Sequence, residues 1–167
     1  MNIYRLSDDY KNATLLAHTK EPQPLEIERV ISLLDQYYRI RSLDTECSFL
    51  VTTRGMMICD LFLVQEGDTY RIRMKAEDIL PYFWGHRDFE GILNLHNHPS
   101  GWCRESKRDV AFNEELRNAV HTQLNKKYLG GYIVTAEEHI RIHDHLYQYR
   151  PVSIDDYLQW QKQSPSR

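Results

Sequence analysis

Residues 91–101 read Gly-Ile-Leu-Asn-Leu-His-Asn-His-Pro-Ser-Gly and carry more chemical information than any other segment of the chain. The apolar run predicts a buried strand that ends near His96, and Pro99-Ser100-Gly101 predicts a loop directly after it. Side chains two positions apart at a strand end leave the same face, so His96 and His98 are expected to point the same way. Two imidazoles on one face can bind one metal ion.

Ser106 and Asp109 lie three positions apart near the start of the next predicted helix, and they therefore share one helix face. The loop between the strand and this helix is suited to folding the helix start back over the strand end. A His-His-Asp set binds zinc and leaves a fourth position for water, as catalytic zinc sites do. We therefore predict a zinc site made by His96, His98 and Asp109.

A zinc-bound water has a pKa of about 7, so hydroxide is available at neutral pH. Such a site needs a general base beside the water, usually a carboxylate, and a donor for the oxyanion that forms. The hydroxyl of Ser106 is a candidate for that donor or for orienting a substrate. Candidate bases among the carboxylates are Glu46, Glu66 and Glu77.

The spacing of these residues resembles the JAMM (MPN+) metalloprotease motif, in which an upstream Glu is combined with His-x-His, seven residues and Ser-x-x-Asp. In this chain, Pro99 through Glu105 supply the seven residues before Ser106. The string His-Asn-His-Pro-Ser-Gly is similar to the RadC branch of that superfamily. RadC-like chains also carry a short Glu-x-Phe/Phe-x-Leu strand about fifty residues upstream, where this chain has residues 46–51, Glu-Cys-Ser-Phe-Leu-Val. The resemblance therefore implies that Glu46 is the base, and it covers about residues 25–145.

Three features depart from the RadC pattern. Residues 102–105 read Trp-Cys-Arg-Glu where RadC-like proteins usually have an acidic residue and prolines. The usual Asp-His pair before the late strand is replaced by Leu129-Gly130-Gly131-Tyr132. The chain also shows no helix-hairpin-helix domain of the kind that often precedes the RadC core. It is therefore identified as a divergent, single-domain relative.

The resemblance implies a JAMM/MPN-like (cytidine-deaminase-like) fold and a zinc peptidase or isopeptidase that hydrolyses an amide bond. It implies a protein or peptide substrate, including a ubiquitin-like one whose tail lies extended along a sheet edge. Two alternatives stay open, a RadC-type nucleic-acid-associated protein in DNA repair and a non-catalytic MPN-like interaction module.

The hydrophobic periodicity predicts an α+β (mixed α/β) fold with a central mixed sheet between helices. Residues 1–23 are predicted to form an arm or edge strand, and residues 24–150 the main domain. Residues 151–167 are predicted to form a helix and a tail. Helices are predicted over 24–40, 75–84, 106–128 and 154–162, the third stopped by Gly130-Gly131. Strands are predicted over 47–53, 57–65, 70–74, 91–96, 132–134 and 139–142.

Charge, cysteine spacing and hydropathy argue against several functional classes and indicate a compartment. The 167 residues carry a net charge of −3, whereas a duplex-DNA-binding protein usually has a basic field. The three cysteines are widely spaced and form no Cys-x-x-Cys pair, which suits a reducing compartment. No signal peptide and no membrane helix are predicted, so a cytoplasmic location is expected.

Several other residues are candidates for secondary roles. His143 and His145 form a second His-x-His, for which a surface or hydrogen-bonded role is favoured over a metal site. Cys103 lies in the loop beside the predicted site, and Trp102 is predicted to line a substrate cleft. The tyrosine pairs at 37–38 and 147/149 are predicted as core contacts or contacts of a homodimer.

Overall fold

The computed structural model describes residues 1–67, 74–85 and 88–144, which form one mixed α/β fold. Within these residues, eight strands form a single sheet that is flanked by three helices. The strands are β1 (Asn2–Leu6), β2 (Ala13–His18), β3 (Gln23–Pro24), β4 (Cys47–Arg54), β5 (Met57–Glu66), β6 (Gly91–Asn97), β7 (Lys127–Val134) and β8 (His139–Arg141). The helices are α1 (Ile27–Tyr38), α2 (Ala76–Phe83) and α3 (Lys107–Ala119), and a π-helical segment, Val120–Leu124, continues α3.

The sheet has the order β2-β1-β5-β4-β6-β7-β8, and β3 pairs with β5. The pairs β1·β5 and β6·β7 are parallel, and the others are antiparallel. The predicted mixed sheet between helices is therefore confirmed. Because β6 lies between β4 and β7, its end is surrounded by residues from three parts of the chain.

Alternate residues of the central strands sort onto the two faces of the sheet, as the two-residue period of a strand requires. Phe49, Val51, Leu93 and Leu95 pack in one core cluster with helix α1. Leu50, Phe62 and Ile92 pack in a second cluster with α2 and α3. The central strands are thus covered by helices on both faces, which explains why their sequences read as continuous apolar runs.

The predicted third helix is wrong at its C-terminal end. The helical segment ends at Asn125, which adopts the left-handed conformation that Asn tolerates. Tyr128 and the Gly130-Gly131 pair lie inside β7 instead of stopping the helix. Gly131 is required there for packing, because a Cβ atom on it would stand 2.6 Å from the Asn113 Oδ1 of α3.

The first predicted helix is confirmed, but it starts later than expected. Pro24 belongs to β3 and pairs with Met57, and α1 begins at Ile27. Residues 1–23, predicted as an arm or edge strand, contribute β1 beside β5 and β2 at the sheet edge. Residues 70–73 of a predicted strand and the predicted helix over 154–162 lie outside the described residues.

The two strands predicted over 47–53 and 57–65 form the antiparallel pair β4·β5, and the short helix predicted over 75–84 is α2. Among the helices that the structure describes, none is both long and apolar enough to span a membrane.

Candidate metal centre

The two histidines are placed by the end of β6. His96 lies within the strand, and the backbone N–H of His98 donates to the Val134 carbonyl of the parallel neighbour β7 at 3.0 Å. Ile92 packs against α2 and α3, so the residues that alternate with it, including His96 and His98, face the same side. The Nε2 atoms of the two imidazoles lie 3.1 Å apart.

Helix α3 begins with a capping box that holds Asp109 in place. The Ser106 hydroxyl accepts from the Asp109 backbone N–H at 3.1 Å, and Asp109 Oδ2 accepts from the Ser106 backbone N–H at 2.7 Å. Asp109 Oδ1 then lies 3.2 Å from His96 Nε2. The start of the helix is thus folded back over the strand end, and the Ser-x-x-Asp spacing serves as a helix cap as well as a source of donor atoms.

Glu46 reaches the same place from the position just before β4. This strand pairs antiparallel with β6, and Ser48 lies opposite His96, so Glu46 comes beside His98. Glu46 Oε1 is 3.4 Å from His98 Nε2 and 3.9 Å from His96 Nε2. Of the two other candidate bases, Glu66 pairs with Arg5 and Glu77 is exposed on α2, and neither joins the group.

We call Glu46, His96, His98 and Asp109 the metal group, because their donor atoms all lie within 4.8 Å of one another. Among the two histidines and Asp109, the closest donor atoms are separated by 3.1, 3.2 and 3.6 Å. Tetrahedral zinc bonds of about 2.0–2.1 Å place neighbouring ligand atoms about 3.3 Å apart. The separations among these three side chains are close to that value, so the three could hold one metal ion.

His98 is held in the tautomer that a metal requires. Its Nδ1 lies 2.9 Å from the Trp102 carbonyl oxygen, which only accepts, so Nδ1 carries the proton. The Nε2 lone pair of the neutral ring is then directed at the rest of the metal group. Burial, and to a lesser extent His96, lowers the pKa of His98 below 6.5, which favours this neutral form. A carbonyl behind a ligand histidine is a common support in metal sites.

Asp109 is ionised in this setting. Burial alone would raise its pKa, but the hydrogen bond and charge of His96, together with the backbone and hydroxyl of Ser106, lower it to about 2. The site thus combines an anionic oxygen donor with imidazole nitrogen donors, and this mixture suits a divalent transition metal.

The metal group lies at a cleft of about 480 Å³. The cleft is also lined by polar Ser48, Asn94 and Ser106, by the apolar side chains Met74 and Phe112, and by charged Asp44 and Arg108. Trp102, predicted to line such a cleft, is 65% exposed and contributes its carbonyl to His98 instead. A cleft of this size lies within the range of about 300–1,000 Å³ that is usual for ligand pockets.

Other predicted candidates do not join the metal group. Cys103 and His143 are not part of it, and the backbone N–H of His143 donates to the Glu105 carboxylate. His145 lies outside the described residues. Two supporting contacts had no signal in the sequence motif, the Trp102 carbonyl on His98 and the Asn97 side chain on the segment that carries Glu46.

No protein-family model matches the chain, and no curated protein matches it either. The described residues form a mixed α/β fold with a group of His, Asp and Glu side chains that could hold a metal ion.

Proposed function

We propose that the chain is a zinc-dependent metallohydrolase of the JAMM type that hydrolyses an amide bond in a protein or peptide. The observation that carries this proposal is the convergence of Glu46, His96, His98 and Asp109, whose donor atoms lie within 4.8 Å of one another. The motif spacing and the mixed sheet between helices support the finer assignment to a JAMM/MPN-like fold.

His96, His98 and Asp109 would hold the zinc ion. This donor set of two nitrogens and one oxygen is typical of catalytic rather than structural zinc sites, which usually carry several thiolates. When bound, zinc would polarise the substrate carbonyl and make a water molecule acidic enough to attack at neutral pH.

Glu46 would act as the general base. Its carboxylate lies beside both imidazoles and is largely buried, so it can take a proton from water and pass it to the leaving amine. The Ser106 hydroxyl uses one lone pair to accept from the Asp109 N–H, which leaves its own hydrogen to donate to the oxyanion. Ser106 thus combines a capping role with an electrostatic one.

The proposed substrate is a protein or peptide, including a ubiquitin-like protein whose tail enters the cleft in an extended conformation. The size of the cleft and its apolar residues Met74 and Phe112 support a peptide chain, and the JAMM resemblance supports the ubiquitin-like class. A homodimer and a cytoplasmic location belong to the same proposal.

Zinc binding is tested by atomic spectroscopy on protein purified without a metal-affinity tag. The wild type should hold about one zinc ion per chain. His96→Ala should bind zinc at least about 100-fold more weakly, since even residues that only support a ligand account for 10–100-fold. Equal zinc content in the two proteins would refute the metal site.

Hydrolysis is tested by incubating the zinc-loaded protein with peptide libraries and ubiquitin-like fusion proteins, with product detection by mass spectrometry. Glu46→Gln should keep its zinc and lose at least about 100-fold in rate, as expected for a general base. Glu77→Gln, which changes an exposed carboxylate outside the metal group, is the matched control and should cleave like the wild type. Cleavage by Glu46→Gln at the wild-type rate would exclude Glu46 as the base.

A further inference from the structure

Asn97 stands between the two histidines in the sequence, but its side chain makes contacts of a different kind. It is buried, at 2% exposure. Its Oδ1 accepts from the Cys47 backbone N–H at 2.7 Å, and its Nδ2 donates to the Thr45 carbonyl at 2.9 Å. The Asn97 side chain therefore forms hydrogen bonds with the backbone on both sides of Glu46.

The backbone pairing of β4 with β6 explains why these two hydrogen bonds are needed. The registered pairing of β4 with β6 ends at Ser48 and His96. The next contact joins the Cys47 backbone to the Asn97 side chain, so a side-chain amide takes the place of a ladder hydrogen bond. Glu46 itself precedes β4 and lies outside any regular element, although its carbonyl accepts from the Gly67 N–H at 2.6 Å.

A general base must be held at a defined distance from the atom it deprotonates, and a residue outside a strand or helix has no ladder to hold it. The amide of Asn97 offers one acceptor and one donor in a fixed plane, and this pair matches the N–H and C=O groups that flank Glu46. Because His96 and His98 are its neighbours in the chain, Asn97 couples the position of Glu46 directly to that of the two metal ligands.

We propose that Asn97 is the positioning residue for Glu46, a role that rests on the proposed function of Glu46 as general base. Loss of the Asn97 amide frees the segment 45–47 and moves the Glu46 carboxylate, while the side chains of His96, His98 and Asp109 keep their places. The expected phenotype is an intact metal site with an altered neighbouring carboxylate.

The experiment replaces zinc with Co²⁺, whose absorption spectrum reports the site directly and requires no substrate. The pH midpoint of the change in this spectrum reports the pKa of an acidic group at the metal. A carboxylate anion beside such a group raises its pKa, so neutralising or displacing the Glu46 carboxylate lowers the midpoint. Glu46→Gln should lower this midpoint, and Asn97→Ala should lower it in the same direction by roughly half a unit or more. The Co²⁺ affinity of Asn97→Ala should stay within about threefold of the wild type, because no ligand is lost.

Two further variants complete the set. Asn113→Ala removes another buried amide, one that accepts from the Tyr128 hydroxyl and does not line the cleft, and it should leave the midpoint unchanged. Asn97→Ser adds no charge, keeps a hydroxyl oxygen for the Cys47 N–H and loses the amide that donates to Thr45, and its midpoint should lie between those of the wild type and Asn97→Ala. It serves as the test if Asn97→Ala does not fold.

A wild-type midpoint in Asn97→Ala, beside a shifted one in Glu46→Gln, would overturn the role of Asn97 and leave Glu46 as the base. An unshifted midpoint in Glu46→Gln would overturn both. A loss of Co²⁺ affinity of about tenfold or more in Asn97→Ala would show that Asn97 supports the ligands themselves, which also overturns the inference.

Discussion

Helix α3 carries a buried polar group at each end, and the two groups are built in opposite ways. At its start, Asp109 joins Glu46 and the two histidines. Near its end, Arg117 forms an ion pair with Asp144 and lies over the Tyr128 ring, at 5.5 Å from the ring centroid. The hydroxyl of Tyr128 in turn donates to Asn113 Oδ1 at 2.5 Å. We call these four residues the Arg117 cluster.

The Arg117 cluster balances its own charges, since one guanidinium faces one carboxylate. The metal group instead brings two carboxylates together with two imidazoles, and burial favours the neutral form of His98. Binding of a divalent cation would therefore balance the charge of the metal group. The two groups therefore differ in kind: the Arg117 cluster pairs its charges among protein atoms, whereas the metal group brings several donor atoms together and could hold a metal ion.

The largest effect is expected from Arg117→Leu. Removal of one partner leaves the Asp144 carboxylate buried without its cation, and such changes cost about 3–5 kcal/mol of unfolding free energy. Urea unfolding of the metal-free protein measures this loss. The double variant Arg117→Leu/Asp144→Leu should regain most of it, and the zinc content of both variants should equal that of the wild type. A loss below about 1 kcal/mol would show that the pair does not support the fold.

The metal group should gain stability only when its cation is added. Zinc at 100 times its dissociation constant should raise the unfolding free energy by about 2.7 kcal/mol, because the ion binds the folded state. A chelator should reverse the gain, and His96→Ala should show no gain at the same zinc concentration. Thermal unfolding with and without zinc measures both. An equal gain in His96→Ala would place the zinc elsewhere.

Ser106 links the start of α3 to the metal group. Ser106→Ala removes the hydroxyl that caps the Asp109 N–H and should cost the metal-free protein about 1 kcal/mol. Its zinc affinity should also fall about tenfold, since Asp109 loses part of its support. Ser106→Thr keeps the hydroxyl and serves as the control. An unchanged stability, measured by chemical unfolding in chelator, would contradict the capping role.

The smallest effect concerns pH in the metal-free protein. Because the folded protein lowers the pKa of His98 below 6.5, the unfolded chain binds a proton more readily there. The contribution of His98 to stability is therefore fully present above pH 6.5 and is lost as the pH falls below that value. The contribution of Asp109 is lost later, between pH 3.8 and about 2.

Unfolding free energies at pH 7.5 and pH 5.5, measured in chelator, test the His98 effect. The loss of stability on acidification should be smaller in His98→Asn than in the wild type. Equal losses in the two proteins would assign the pH dependence to other groups.

The local sequence pattern predicted most of the fold. The strand-forming apolar runs 47–53 and 57–65, and the stripe of Val30, Ile31 and Leu34, correspond to β4, β5 and the buried face of α1. The ends of elements were less predictable. Gly130-Gly131 looks like a helix stop, but the backbone of Gly131 is needed close to Asn113, and that demand arises from packing between α3 and β7.

The sequence also predicted which side chains supply the donor atoms of the candidate site. His96, His98 and Asp109 are close in the chain, so a strand end and a helix start suffice to bring them together. The choice of Glu46 over Glu66 and Glu77 rested on resemblance alone, and the geometry of the site is what brings Glu46 into the group and leaves the other two outside it. Neither the sequence pattern nor the resemblance predicted the hydrogen bonds of the Asn97 side chain and of the Trp102 carbonyl.

The sequence by itself thus determined which donor atoms could hold a metal ion, because the nature and spacing of the two histidines and Asp109 are properties of a short segment. Only the tertiary structure decided how that segment is completed. The antiparallel pairing of β4 with β6 brings the Glu46 carboxylate to the histidines, which lie about fifty residues further along the chain. The Asn97 amide forms hydrogen bonds with the backbone on both sides of Glu46. The physical reason is that backbone pairing and side-chain hydrogen bonds act between residues that are close in space, whatever their separation along the chain.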